Sequence, residues 1–200
     1  MSLKFDPARR DRLRHPRRSR RLPPFKILRR LGLRRGDTFV DIGCGPGFFS
    51  LPASRIVGEG GKVVAVDVST EMLTDLKAGA AAEGASNIVF KQVGENGAGL
   101  PANAGLYFLC QVLHELEDKR GYLAGLRRRM GPESRLAVLD YHRRRTKHGP
   151  PLFQRVSLSR LRGWLQEFGF RVVDVFDVNA EEYAVVSRIA GKGGKASEGA

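Results

Sequence analysis

Five residues carry the chemistry that this chain displays first: Asp41, Gly43, Gly45 and Gly47 in "VDIGCGPGFFS", and Asp67 in "VVAVDVS". Glycines at every second position let a backbone turn sharply and approach a ligand with no side chain in the way. Asp41 ends an apolar run, where it is placed to meet a positive charge. Asp67 closes the next apolar run, 20 residues beyond Gly47. At that remove an acid accepts hydrogen bonds from ribose hydroxyls. Together these residues describe a pocket for a nucleoside with a cationic end. A pyrophosphate fits less well, because it wants G-x-G-x-x-G opening onto a helix N-terminus. Here the third glycine comes one residue early, an acid precedes the loop, and no basic residue lies between 36 and 54.

Two strand-end acids reach one pocket only if the fold sets their strands side by side. The apolar runs "DTFVDIG", "KVVAVDVS", "NIVFKQV", "LYFLC", "RLAVLDY", "RVVDVFDV" and "YAVVSRI" read as seven strands. Between them lie helical stretches. "LPPFKILRRLGL" has Pro24 near its first turn and Gly32 closing it. "FFSLPASRIVG" continues as a helix only with Pro52 in its first turn or kinking it. "STEMLTDLKAGAAAEG" has a Ser or Thr cap and helical spacing of Met72, Leu73 and Leu76. Two more helices are expected at 117–130 and 157–168. The alternation predicts an α/β fold, a Rossmann-like open sheet, mostly parallel, with helices on both faces. "NAEE" is too short for a crossover helix, so the last two strands form a β-hairpin and one strand runs antiparallel.

Composition bounds the rest. A chain of 200 residues, 42% hydrophobic and 28% charged, is most simply one globular domain. No run approaches a membrane span, and no apolar stretch follows the N-terminal basic residues as it would in a secretory signal. Four prolines by position 24, with Asp6 and Asp11, argue against a mitochondrial presequence. Only Cys44 and Cys110 occur, with no metal-ligand spacing, so no metal site and a reducing, cytoplasmic setting are expected. The net charge of +14 is uneven: residues 1–35 hold 14 basic and 2 acidic side chains, the remainder 21 and 19. We therefore divide the chain into a basic arm with its lead helix (1–35), a domain (36–190) and a flexible tail (191–200). The arm reads either as a solvated leader or as a device for gathering phosphates or anionic lipid.

The motifs "VDIGCGPG", "VVAVDVSTEML", "GLP" and "VLHEL", with the terminal hairpin, resemble class I S-adenosylmethionine-dependent methyltransferases. The bacterial group related to ubiquinone and arsenite methyltransferases is the nearest in flavour. The resemblance spans roughly residues 36–190. It implies S-adenosyl-L-methionine as cofactor, with Gly43, Gly45 and Gly47 lining the methionine moiety and Asp41 near its amino group. It further implies Asp67 on the ribose, Val68 and Met72 flanking the adenine, and Glu95 and Asn96 near the adenine amino group. Cys110 and Gln111 would offer backbone contacts at the methionine end. Three features depart from the pattern: Ala104 and Gly105 where the family often has Phe-Asp, "MGPES" for a Lys-Pro-Gly-Gly turn, and a shortened 97–106 segment.

Methyl transfer from a sulfonium needs alignment, exclusion of water and, for a protonated acceptor, a base. The candidates beyond the strand ends are His114, Tyr141 and His142. Each also has a plainer reading, a helix-start histidine that packs locally or an ordinary strand-to-loop transition. Asp140 reads as a brace. The two cysteines read as small residues in tight space, too few for an arsenic-binding thiol site. "KHGPPLFQRVS" (147–157) reads as a rigid loop entering the next helix; the resemblance implies a substrate lid there, with Arg155 a candidate anion contact. "RRR" at 143–145, on the pocket's edge, reads either as a solvated face or as a further hold on an anionic substrate. The acceptor expected is a small molecule. Two rivals stay open: an RNA- or ribosome-associated methyltransferase using the arm, and a catalytically inactive nucleic-acid-binding accessory protein of the same fold.

Overall fold

In the computed structural model the described residues are 16–191; the expectations for 1–15 and for nearly all of the tail lie outside them. The elements in chain order are α1 (Pro16–Arg21), α2 (Pro24–Arg30), β1 (Thr38–Ile42), α3 (Ser50–Val57), β2 (Lys62–Asp67), α4 (Thr70–Ala82) and β3 (Ile88–Gln92). They continue with β4 (Leu106–Cys110), a 3-10 turn (Leu113–Glu115), α5 (Lys119–Arg129), β5 (Arg135–Tyr141), α6 (Leu158–Glu167), β6 (Phe170–Asp177) and β7 (Glu182–Ile189). All seven expected strands are present, in the order β3-β2-β1-β4-β5-β7-β6. The first five run parallel, and β7 is antiparallel to both β5 and β6. The hairpin inferred from "NAEE" is the reason.

Strand alternation sorts the core into two layers. Phe39, Val63, Ala65, Leu106 and Phe108 face α2, α3 and α4; Val40, Val64, Tyr107, Leu109 and Val138 face α5 and α6. Pro52 sits in the first turn of α3, where its missing N–H costs nothing. Ser69, Asp118 and Ser157 cap α4, α5 and α6 through side-chain oxygens, which is why the helices begin where they do.

The N-terminal boundary differs from the expectation. Leu22, Ile27, Leu28, Leu31 and Leu33 are buried in the same core layer as Phe39 and Val63, so packed structure begins well before residue 36. Helix α1 was not predicted from the sequence. Its six residues, PRRSRR, hold four arginines and no large apolar side chain, so it shows no amphipathic period.

Candidate functional site

The sheet order reverses between β1 and β4, so a crevice opens beyond the carboxyl ends of β1, β2, β4 and β5. A cleft of about 2100 Å³ occupies that position. This exceeds the roughly 300–1,000 Å³ of a single small-ligand pocket and leaves room for a cofactor with a second molecule.

At one end the glycine turn is held by Asp67. Its Oδ2 accepts from the Gly45 N–H at 2.8 Å and its Oδ1 from the Ser69 N–H at 3.0 Å. Gly43, Gly45 and Gly47 all have positive φ, 68°, 51° and 95°. Gly43 and Gly45 line the cleft, whereas Gly47 does not. A Cβ on Gly47 would lie 2.2 Å from Leu76 Cδ1, so the third glycine serves close packing of the turn on α4. This packing role was not among the expectations for Gly47. Val68 and Met72 line the cleft beside Asp67, and so do Glu95 and Asn96. Asn96 Oδ1 accepts from the Ala98 N–H at 2.9 Å, a local turn that keeps this segment at the cleft despite its shortness.

Asp41 is buried at the end of β1, with Oδ2 accepting from the Ser50 hydroxyl at 2.6 Å. Burial pushes its carboxyl up to about 7, against the Ser50 hydrogen bond and with the Asp67 charge adding to the rise. An uncharged or half-charged acid in this position is primed to ionise when a cation arrives. Arg18 of α1 reaches the same end. Its guanidinium stacks 4.3 Å from the Phe48 ring centroid and donates to Gln111 Oε1 at 3.3 Å.

At the other end Tyr141, Gln111 and His114 line the cleft. Gln111 follows β4 with φ of 60°, the left-handed region rare for such a residue. The side chain is thereby committed: Nε2 donates to the Tyr141 hydroxyl at 3.0 Å and to Glu182 Oε1 at 2.7 Å. Arg21 donates to the same hydroxyl and to the same Glu182. Burial pushes the Tyr141 phenol up to about 12, although Arg21 opposes the rise. His114 Nδ1 lies 2.7 Å from Asp140 Oδ1, and Asp140 also accepts the backbone N–H groups of His114 and Tyr141. Burial alone would lower the imidazole pKa; the Asp140 charge and hydrogen bond outweigh it and raise it. Asp140 is thus the brace expected of it.

Two expected site residues lie elsewhere. The His142 ring is 2.9 Å from Asp177 and packs at 5.2 Å against Tyr183, away from the cleft. Arg155 is buried and holds its own loop, donating to the carbonyls of Pro150, His142, Arg144 and His148 and to the Thr146 hydroxyl. Its donors are engaged with backbone, so it is a strut of the loop and not an anion contact. Cys44 and Cys110 are free and buried, and burial pushes both thiols well up. They are neutral space-fillers at neutral pH. Among the described residues no group of three or more His, Cys, Asp or Glu is arranged to hold a metal.

Arg18, Arg21, Glu182 and Gln154 were missed in the sequence. Glu182 is fully buried, yet in "NAEEY" it looks like a turn residue. Gln154 lines the cleft with a buried Oε1 that has no protein partner.

The strand order, the cleft at its reversal and the acid-braced glycine turn define a class I methyltransferase. A family model described as a methyltransferase domain matches residues 33–168, and the chain belongs to that family. S-adenosylmethionine is accordingly its cofactor. The crystal structure of an S-adenosylmethionine-dependent methyltransferase from Aquifex aeolicus is 32% identical, with a TM-score of 0.87 over 94% of this chain and 100% of that one. The demethylmenaquinone methyltransferase of Lactococcus lactis subsp. lactis is 30% identical over 118 residues, 58% of this chain and 46% of that protein. An arsenic(III) S-adenosylmethionine methyltransferase from Chlamydomonas reinhardtii, 20% identical with a TM-score of 0.62, covers 80% of this chain and 65% of that one and shares the fold. The chain spans about half the length, or less, of the curated relatives it matches. Among the described residues no helix is long and apolar enough to cross a membrane.

Proposed function

We propose that this protein transfers the methyl group of S-adenosylmethionine to a small-molecule acceptor bound between Tyr141, His114 and the loop at 147–154. The observation that carries the reading is continuity. One cleft joins the Asp67-braced glycine turn to the Tyr141 and His114 end, so two ligands can meet inside it. Relatives named for demethylmenaquinone and for ubiquinone/menaquinone biosynthesis favour a small acceptor.

S-adenosylmethionine supplies a methyl group on a sulfonium, with a thioether as leaving group. The residues of this chain bind and orient. Each Asp67 oxygen already accepts one backbone N–H and keeps a lone pair for a ribose hydroxyl. Val68 and Met72 would flank the adenine, with Glu95 and Asn96 at its edge. Asp41 would face the ammonium, Arg18 the carboxylate, and Gly43, Gly45, Cys110 and Gln111 the backbone-lined remainder. Across the cleft, the His114 ring accepts a proton from the acceptor when neutral, and Asp140 then stabilises the imidazolium. Gln154 Oε1 offers a hydrogen-bond acceptor to a hydroxyl or amine of the incoming molecule.

A second reading has its own support: Arg17, Arg18, Arg20, Arg21 and Lys147 all line the cleft, as an RNA acceptor would require. The two separate on incubating the protein with methyl-tritiated cofactor and cell extract. Acid-soluble label supports the small-molecule acceptor. Nuclease-sensitive polymeric label overturns it, and RNA binding would then weaken with salt at a log–log slope of roughly −0.7 per neutralised phosphate. Asp67→Ala is expected to weaken S-adenosylhomocysteine binding by about 1.5–3 kcal/mol, the worth of charged hydrogen bonds, in a calorimetric titration. Unchanged affinity would remove the ribose from Asp67. A wild-type protein that binds no cofactor would leave the accessory-protein reading standing.

A further inference from the structure

The loop joining β5 to α6, residues 142–157, presents a surface that the reaction does not use. Phe153 is 73% exposed, the most exposed large apolar side chain among the described residues, and its neighbour Leu152 is 40% exposed. Neither lines the cleft. Exposure of one apolar residue is ordinary, but here three further facts coincide.

The loop is built to hold these two side chains outward. The buried Arg155 guanidinium ties together the carbonyls of His142, Arg144, His148 and Pro150 and the Thr146 hydroxyl. Gln154, Arg155 and Val156 are buried immediately after the exposed pair. The apolar tip is therefore displayed by a rigid base. Next, the segment 142–155 contains Arg143, Arg144, Arg145 and Lys147, all exposed, and not one Asp or Glu. Finally, the loop forms the cleft's rim, with Lys147, His148, Pro150 and Pro151 lining it. The exposed Arg17 and Arg20 of α1 line the same cleft. Glu181 joins the two sides of the rim, 2.7 Å from His148 Nδ1 and 3.6 Å from Arg21. That nearby acid is held within the rim by these partners. Asp177, also beside the loop, is paired to His142.

An aromatic and an aliphatic tip set among cations suits an anionic bilayer surface: apolar side chains enter the headgroup boundary while Lys and Arg meet the lipid charge. RNA would use the cations and leave Leu152 unexplained. We propose that the 142–157 loop docks this protein onto anionic membranes, with the rim of the cleft against the bilayer. The docking does not depend on the identity of the acceptor.

The test is co-sedimentation of the full-length protein with vesicles of phosphatidylcholine alone or of phosphatidylcholine and phosphatidylglycerol at 3:1, at low and high salt. The wild type is expected to partition at least about tenfold better onto the anionic vesicles at low salt. Leu152→Ser/Phe153→Ser is expected to lower that partitioning by about tenfold while binding S-adenosylhomocysteine with wild-type affinity, which certifies its fold. Absence of wild-type binding to anionic vesicles would overturn the proposal. So would binding that the double substitution leaves unchanged, or a preference for single-stranded RNA over vesicles. Loss of cofactor binding in the wild type would instead defeat the methyltransferase reading and leave the vesicle result to stand by itself.

Discussion

Asp41 pits stability against binding at one atom group. Its carboxyl is held up to about 7 by burial, while an Asp in the unfolded chain ionises near 3.8. Between those values the unfolded chain has released a proton that the folded one keeps. Stability therefore falls as pH rises through that window, by about 1.4 kcal/mol for each pH unit crossed. Asp41→Asn, which preserves an oxygen for the Ser50 hydroxyl, should remove the slope. Urea titrations are expected to show the variant more stable than the wild type at pH 8 and little different at pH 4. The same variant should bind S-adenosylhomocysteine less well, having no charge to offer an ammonium. His114 makes a second case. A base must be neutral, and Asp140 raises the imidazole pKa, so methyl transfer should rise with pH through a midpoint above 6.5. Asp140→Asn withdraws the charge and should move that midpoint down. A rate profile whose midpoint ignores the substitution would show that His114 is not the proton acceptor.

Elements explain which parts of the site were legible beforehand. The glycine turn and Asp67 could be read because their requirements are local: a positive φ wants glycine, and a strand-end acid follows its own strand. The hairpin followed from a loop length. Gly47 was legible as a turn residue but not as a packing one, since Leu76 meets it only through the tertiary placement of α4. Gly47→Ala is accordingly expected to cost about 2–4 kcal/mol, combining a left-handed backbone with an overpacked contact, measurable as a lower midpoint in denaturant. Helix α1 was illegible for a different reason. Hydrophobic periodicity reveals a helix that buries apolar residues, and α1 instead packs through Arg18 on Phe48 and Gln111, and through Arg21 on Tyr141 and Glu182. Those hydrogen-bond partners are 93 to 161 residues away, beyond any local pattern. Arg155 misled in the opposite sense: the sequence shows a cation in a lid but not the carbonyls that surround it.

At the scale of the whole molecule, the charge asymmetry and the core tell different stories about the first 35 residues. Charge sets them apart as an arm. Burial joins residues 22–33 to the domain, because Leu22, Leu28 and Leu31 are at most 2% exposed and share a core layer with Phe39 and Ala53. The family match begins at residue 33, so this packed lead lies outside the part that the family's pattern describes. It has a direct consequence for the site, since α2 fixes the start of the path along which α1 brings Arg18 and Arg21 to the cleft. Leu28→Ala removes a fully buried side chain and is expected to cost about 2–5 kcal/mol, read from the denaturant midpoint. Cofactor affinity measured under native conditions should fall with it if the lead elements position Arg18. A variant destabilised to that extent whose S-adenosylhomocysteine affinity is unchanged would confine the lead to the core and take α1 out of the cofactor's reach.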